Sequence, residues 1–217
     1  MEEKRTGFRL EHDSIGDKQV PKEAYYGVQS LRAKENFHIT GHGMHPQLII
    51  AVAQIKKAAA LTNLAVGELD RKQADAIVAA CDEVIAGKLH GEFIVDAIQG
   101  GAGTSLNMNA NEVIANRAIE LLGGEKGDYA LVSPNDHVNF GQSTNDVFPS
   151  CGKLAAIALL NETQTQLRRL EQAGGVGLHI VEHAAVRAQA QGGPAGAVLL
   201  IELGHGPGQG VAVQVGV

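Results

Sequence analysis

The sequence predicts a mainly α-helical fold, and three features of the chain lead to that prediction. Apolar residues recur every three to four positions in four segments, capping residues or glycines bound these segments, and no region is rich in strand formers. The chain has 217 residues, of which 44% are hydrophobic and 19% charged, a balance typical of a folded core. Its net charge of −6 argues against a nucleic-acid-binding surface.

The first half of the chain is expected to hold an irregular start and two helices. Pro21 and several glycines interrupt residues 1–45, which are therefore expected to be irregular. A first helix is predicted over 46–65, with Pro46 suited to its first turn. A second helix is predicted over 70–86, with Asp70 as its cap and Gly87 as its stop.

Two further helices are predicted, each after a polar turn. One runs over 106–122, ends at a pair of glycines and carries asparagines at positions 107, 109, 111 and 116. The other runs over 149–172, after the polar turn 142–146. The basic pair Lys56 and Lys57 is interpreted as part of a solvated helix face.

The location predicted from the sequence is cytoplasmic. No apolar run approaches the 18 to 20 residues of a membrane span, and the first residues lack the apolar stretch of a signal peptide. Cys81 and Cys151 fall inside predicted helices, which favours buried thiols in a reducing compartment over a disulfide.

Residues 173–217 differ in composition from the rest of the chain. Every Ser, Thr, Asp, Lys and Asn lies before residue 168, and 11 of the 27 glycines lie from there onward. Three interpretations stay open: a flexible glycine-rich extension, a small helical hairpin over 178–191, or the product of a reading-frame shift.

The first polar cluster is the glycine-rich turn 99–105, which leads directly into the helix rich in asparagine. Backbone N–H groups at a helix start, together with the hydroxyl groups of Thr104 and Ser105, make a favourable carboxylate or phosphate site. An ordinary helix cap on a glycine turn explains the same residues.

The second polar cluster covers residues 133–139 and 141–146 and leads into the fourth helix. Ser, Thr and Asn donate hydrogen bonds without adding a competing negative charge, so two such clusters suit a small dicarboxylate. A solvated loop with capping residues is the alternative. His137 lies in this cluster and is a candidate general base, because imidazole titrates near neutral pH.

Residues 99–117, 134–139 and 142–146 together resemble the N-terminal signatures of the aspartase/fumarase superfamily. Gly-Gly-Ala-Gly-Thr-Ser at 100–105 and Ser-Thr-Asn-Asp at 143–146 are more similar to aspartate ammonia-lyases than to class II fumarases. The similarity extends over about residues 8–167. It implies an N-terminal helical domain over 1–140 and, over 141–172, the first helix of a truncated central helical bundle.

The resemblance also implies an activity in amino-acid metabolism, the reversible elimination of ammonia from L-aspartate to give fumarate. The family needs neither a metal nor an organic cofactor, has no nucleic-acid or membrane partner, and assembles as a homotetramer. The motif match implies substrate binding by four residues: Thr104, Ser143, Thr144 and Asn145. It places four others around them in supporting roles: Ser105, Asn109, Asp146 and His137.

No catalytic base is assigned, because the family's catalytic serine loop has no counterpart in this sequence. The chain alone is therefore expected to have little or no lyase activity. Three alternatives stay open: a class II fumarase-type hydratase, a non-catalytic fragment that binds dicarboxylates or assembles with a lyase, and a zinc enzyme. The last rests on His179-Ile-Val-Glu-His183, which has the order of an inverted zinc-protease motif but no evident third ligand.

Overall fold

The computed structural model describes residues 7–101, 103–174, 199–205 and 209–215. It divides into two compact units, one ending at Leu160 and the other beginning at Asn161. The described residues are mostly helical, which confirms the predicted class. The hairpin considered for 178–191 lies outside them.

A β-hairpin opens the described chain, so the expectation of an irregular start is wrong. Strand β1 (Phe8–Asp13) pairs antiparallel with β2 (Gly16–Pro21). Phe8 and Leu10 are exposed while Glu11 is buried, which reverses the usual apolar-in pattern and hides the strand in the sequence. The turn is fixed by Asp13, whose Oδ1 accepts hydrogen bonds from the backbone N–H groups of Ile15 and Gly16.

Helix α1 (Val28–Asn36) also lies inside the segment expected to be irregular. No side chain of its own segment caps its start. Instead, the buried carboxylate of Glu112 accepts hydrogen bonds from the backbone N–H groups of Gly27, Gln29 and Ser30, at 2.9, 2.9 and 3.1 Å. A cap that comes from a residue more than 80 positions away leaves no local sequence signal.

Helices α2 (Pro46–Ala65) and α3 (Arg71–Ile85) confirm the first two predicted helices. Asp70 caps α3 as predicted, because its Oδ1 accepts a hydrogen bond from the backbone N–H of Gln73 at 2.9 Å. By length and composition, α2 is the one helix in the described part that is long and apolar enough to cross a membrane. It packs against α3 and contributes Ile49 and Val52 to the core.

Helices α4 (Thr104–Leu121) and α5 (Thr144–Gly174) begin earlier than predicted. Thr104 belongs to the first turn of α4, directly after Gly103 with its positive φ of 80°. Pro149 lies inside α5, whereas the prediction placed it at the first turn. The two polar clusters therefore form the starts of the helices themselves.

The core of the first unit lies between α2, α3 and α4. A short 3₁₀ turn (His90–Glu92) precedes α4, and a π-helical turn (Pro134–Val138) precedes α5. The second unit holds an antiparallel pair, β3 (Leu199–His205) and β4 (Gln209–Val215), for which no strand signal was recognised in the sequence.

Candidate functional site

The starts of α4 and α5 lie side by side, which brings the two polar clusters together. Nδ2 of Asn107, in the first turns of α4, donates a hydrogen bond of 3.1 Å to Oγ1 of Thr144, the first residue of α5. Gly103 packs so closely against the ring of Phe148 that a Cβ atom would overlap it. The two contacts join residues that are 37 and 45 positions apart and form one candidate site.

At the start of α4, a side chain from the preceding loop organises the turn. Oε1 of Gln99 accepts a hydrogen bond of 2.6 Å from the backbone N–H of Leu106, and its Nε2 donates to the carbonyl oxygen of Asp96 at 3.1 Å. Thr104 is exposed and Ser105 half-buried, and neither hydroxyl is engaged in a hydrogen bond among the described residues. The hydroxyls of Thr104 and Ser105 are thus available beside the positive end of the helix dipole.

At the start of α5, Ser143 acts as the capping residue. Its Oγ accepts a hydrogen bond of 3.2 Å from the backbone N–H of Asn145, which leaves the hydroxyl proton available to a ligand. Oγ1 of Thr144 is likewise an acceptor, from Asn107, so its proton is also free to be donated. Ser143 and Asn145 are both exposed. Three of the four predicted binding residues therefore cluster at this helix start.

A buried polar network lies directly behind these hydroxyl groups. Nζ of Lys56 donates a hydrogen bond of 2.7 Å to Oδ1 of Asn139, which also accepts one of 3.2 Å from Nδ2 of Asn107. Nδ2 of Asn139 donates to the carbonyl oxygen of Gln142 at 3.2 Å. Lys56 is fully buried, so its interpretation as a solvated residue is wrong. Burial lowers the pKa of its ammonium group to about 7.

Two of the residues predicted to support the site bind backbone groups of nearby segments. Nδ1 of His137 accepts a hydrogen bond of 2.8 Å from the backbone N–H of Ser133, so the ring nitrogen that could accept a substrate proton is occupied. Oδ1 of Asn109 accepts from the backbone N–H of Ile94 at 2.8 Å, and its Nδ2 donates to the carbonyl oxygen of Glu92 at 3.0 Å. Both side chains stabilise the scaffold.

Asp146 lies exposed in the first turn of α5. A carboxylate at this position interacts favourably with the helix dipole and has the same sign of charge as a bound anion.

Unpaired acceptors accompany the donors of this site. Among the described residues, the buried Oδ1 of Asn107 and Oε1 of Gln142 have no hydrogen-bond partner. Both side chains donate within the network, Asn107 to Thr144 and Gln142 to the carbonyl oxygen of Val138. The network therefore keeps two buried acceptors without a partner among the described residues.

Sequence reasoning missed Lys56 and Asn139 as parts of the site, and it treated Asn107 only as one of the supporting asparagines of its helix. Asn107 and Asn139 carried a signal, since both belong to the clusters of amides, but nothing in the sequence showed which amides meet. Within the described ranges, no group of three His, Cys, Asp or Glu side chains is placed to hold a metal ion. The motif His179 to His183 lies outside those ranges.

Two adjacent helix starts with hydroxyl donors make a site of the kind that suits a small carboxylate or a similar anion in a helical protein. A family model described as lyase matches residues 16–174, and the chain belongs to this family. The resemblance to aspartate ammonia-lyases of the aspartase/fumarase superfamily, expected over about residues 8–167, is confirmed.

The chain is similar to named relatives over its first three quarters. It is 56% identical to an aspartate ammonia-lyase from a Bacillus species over 167 residues, 77% of this chain and 36% of that protein. It is 54% identical to a class II fumarate hydratase from Halobacterium salinarum over 164 residues, 75% of this chain and 35% of that protein. The chain spans little more than a third of the length of these curated relatives.

The fold is similar to that of a solved lyase. The crystal structure of native fumarate lyase:delta crystallin from Brucella melitensis matches with a TM-score of 0.75 and 51% identity. The match covers 76% of this chain and 38% of that chain.

Proposed function

We propose that this chain is the N-terminal, carboxylate-binding part of an aspartate ammonia-lyase, which reversibly eliminates ammonia from L-aspartate to give fumarate. The observation that carries the proposal is that the starts of α4 and α5 lie side by side, through the hydrogen bond from Asn107 to Thr144 and the packing of Gly103 on Phe148. Relatives that share this part of the sequence include aspartate ammonia-lyases at 52 to 56% identity.

The difficult step of such an elimination is the removal of a proton from the carbon beside a carboxylate. The charge that develops on this carboxylate is stabilised by donors fixed before the reaction, and each well-placed donor contributes roughly 3 kcal/mol. The hydroxyl groups of Thr104, Ser143 and Thr144 are such donors. Asn145, exposed at the start of α5, is the residue we assign to the ammonium group of aspartate, because its side-chain oxygen can accept a hydrogen bond.

A fumarase-type hydratase is the second candidate, because the relative from Halobacterium salinarum is named as one and is 54% identical. The two candidate functions differ in the substrate, because L-aspartate carries an ammonium group where L-malate carries a hydroxyl group. A site that prefers L-aspartate to L-malate supports the ammonia-lyase, and the opposite preference supports the hydratase.

Ligand binding tests the site in this chain directly. We expect calorimetric titration to show binding of fumarate and L-aspartate, and Thr144→Val to weaken fumarate binding at least tenfold. Thr62→Val is the matched control, because Thr62 Oγ1 donates to the carbonyl oxygen of Ala58 within α2, outside the site network. Equal affinities for the two variants, or no binding by the parent chain at millimolar ligand, would overturn the proposal.

We further propose that the chain forms a homotetramer through α5. Six large apolar side chains of this helix are exposed, at positions 154, 157, 159, 160, 167 and 170, which supports a helix-to-helix contact between copies. Light scattering after size exclusion gives the mass of the assembly. A monomer at micromolar concentration would contradict this proposal.

A cytoplasmic location is proposed on the two free and buried cysteines, Cys81 and Cys151, which suit a reducing compartment. Cell fractionation with an antibody against the chain tests it, and recovery outside the cytoplasmic fraction would contradict it.

A further inference from the structure

The buried polar network behind the hydroxyl groups of the candidate site contains a lysine side chain whose positive charge no neighbouring carboxylate balances. Lys56 is fully buried in α2, and no ion pair joins it to a carboxylate in the described part of the chain. Lys57, its neighbour, does pair with a carboxylate, that of Asp82 at 2.6 Å. A buried ammonium group without a counter-ion is costly, so its presence at this position needs a reason.

The single hydrogen bond described for Lys56 is directed at the candidate site. Nζ of Lys56 donates to Oδ1 of Asn139, which fixes the Nδ2 group of Asn139 on the carbonyl oxygen of Gln142 and shapes the turn before α5. The same Oδ1 atom accepts from Asn107, whose Nδ2 group also reaches Oγ1 of Thr144. Bond lengths of 2.7, 3.2 and 3.1 Å place Nζ of Lys56 within about 9 Å of that hydroxyl oxygen.

We propose that Lys56 is a positioning residue of this site, which holds Asn139, Asn107 and the hydroxyl group of Thr144 in the orientation that binds a dicarboxylate. The inference rests on the proposed function for the identity of the ligand. The bound anion supplies the negative charge that the ammonium group lacks, so binding of the anion and protonation of Lys56 favour each other.

The groups that face Lys56 do not titrate near neutral pH, so the titration of Lys56 can be observed separately. Two thiols face it, Cys81 from α3 and Cys151 from α5, and burial raises the pKa of each to about 12. Both thiols stay neutral at pH 7. The third group is Asn139, which does not titrate. A transition near pH 7 in this network therefore reports on the ammonium group of Lys56.

The first test follows the network without any ligand. Nuclear magnetic resonance spectra of the labelled chain are recorded between about pH 5.5 and 9, in the parent and in the variants Lys56→Met and Lys57→Met. We expect the side-chain amides of Asn107 and Asn139 and the backbone amide of Thr144 to shift with one midpoint near pH 7 in the parent and in Lys57→Met. The Lys56→Met variant loses this transition. Signals that stay constant in the parent, or a transition that survives in Lys56→Met, would overturn the inference.

The second test adds fumarate as the probe. Near pH 6.5 we expect Lys56→Met to bind fumarate at least tenfold more weakly than Lys57→Met. Affinity of the parent falls as the pH rises above 7, and calorimetry in buffers of different ionisation enthalpy shows proton uptake on binding. Neither effect is expected in Lys56→Met. A purely structural lysine would lower affinity without changing this pH profile.

The two proposals fail in different ways. If the parent binds no fumarate at any pH, the proposed function is overturned, and the ligand-free titration alone decides whether Lys56 positions the network. If fumarate binds with the same affinity and pH profile in Lys56→Met as in Lys57→Met, the proposed function stands and the role of Lys56 is overturned.

Discussion

Asn107 and Thr144 are joined by a hydrogen bond of 3.1 Å, in which the Nδ2 group of Asn107 donates to the Oγ1 atom of Thr144. This bond links α4 to the first residue of α5 and sets the direction of the threonine proton. Because Oγ1 already accepts one proton from Asn107, its own hydrogen is available to a ligand. The same hydrogen bond therefore holds α4 and α5 together and orients a hydroxyl group of the candidate site.

We predict that Asn107→Ala weakens fumarate binding at least tenfold and lowers the free energy of unfolding by about 1–2 kcal/mol, because two hydrogen bonds are lost. Asn111→Ala is the matched control on the same helix. Asn111 is equally buried, but the one hydrogen bond found for it in the described chain goes to the sulfur of Met108, at 3.5 Å. Calorimetric titration and urea unfolding measure both quantities. Similar fumarate affinities for the two variants would show that the hydrogen bond between Asn107 and Thr144 does not contribute to ligand binding.

The contact between Gly103 and Phe148 leads to a second prediction. Gly103→Ala introduces a Cβ atom that overlaps the aromatic ring, at a residue whose φ is 80°. We expect a loss of at least about 2 kcal/mol in unfolding free energy, together with weaker fumarate binding.

Gly67→Ala separates the backbone effect from the overlap. Gly67 has a φ of 83°, but a Cβ atom there meets nothing within 4 Å. This variant is expected to lose only about 1 kcal/mol and to keep its affinity for fumarate. Equal losses of stability in the two variants would show that the ring moves aside without cost.

A third prediction concerns the pH dependence of stability. Burial lowers the pKa of Lys56 from 10.5, the ordinary value of a lysine, to about 7 in the folded chain, so between these values the unfolded chain holds a proton that the folded chain has released. The free energy of unfolding therefore rises with pH across this window, by about 1.4 kcal/mol per pH unit. Between about pH 7.5 and 9, the parent is expected to gain about 2 kcal/mol relative to Lys56→Met.

Urea unfolding at half-unit steps of pH measures this difference. Lys57→Met serves as the control, because Lys57 is partly exposed and paired with Asp82, and its stability profile is expected to run parallel to that of the parent. If the profile of Lys56→Met runs parallel as well, Lys56 keeps an ordinary pKa in the folded chain.

Local patterns in the sequence predicted the elements whose signals are local. The bounds of α2 followed from periodicity and Pro46, and the cap of α3 followed from Asp70. Helix α1 was missed because its cap is Glu112, and β1 was missed because Phe8 and Leu10 face solvent. Both elements depend on contacts between residues that are far apart in the sequence, and local patterns do not show such contacts.

The same distinction applies to the candidate site. The hydroxyl groups of Thr104, Ser143 and Thr144 were predicted to bind substrate because the two polar motifs that contain them resemble those of the family. The role of Lys56 depends on Asn139, 83 positions away, and periodicity within α2 gives no sign that its face meets the turn before α5.

The distant cap of α1 gives the last prediction. Both carboxylate oxygens of Glu112 are acceptors: Oε1 from Gln29, and Oε2 from the N–H groups of Gly27 and Ser30. Glutamine has the same size, yet its NH₂ group would face one of these donors. Glu112→Gln is therefore expected to lower the unfolding free energy by about 2–3 kcal/mol, as for a buried donor left unpaired.

Glu125→Gln is its control, since Glu125 is exposed and is expected to change stability by less than about 0.5 kcal/mol. Amide hydrogen exchange at the start of α1 locates the effect, because the N–H groups of Gly27, Gln29 and Ser30 lose protection if Glu112 is their acceptor. Unchanged protection in Glu112→Gln would mean that these groups have another acceptor, and that α1 does not depend on α4 for its cap.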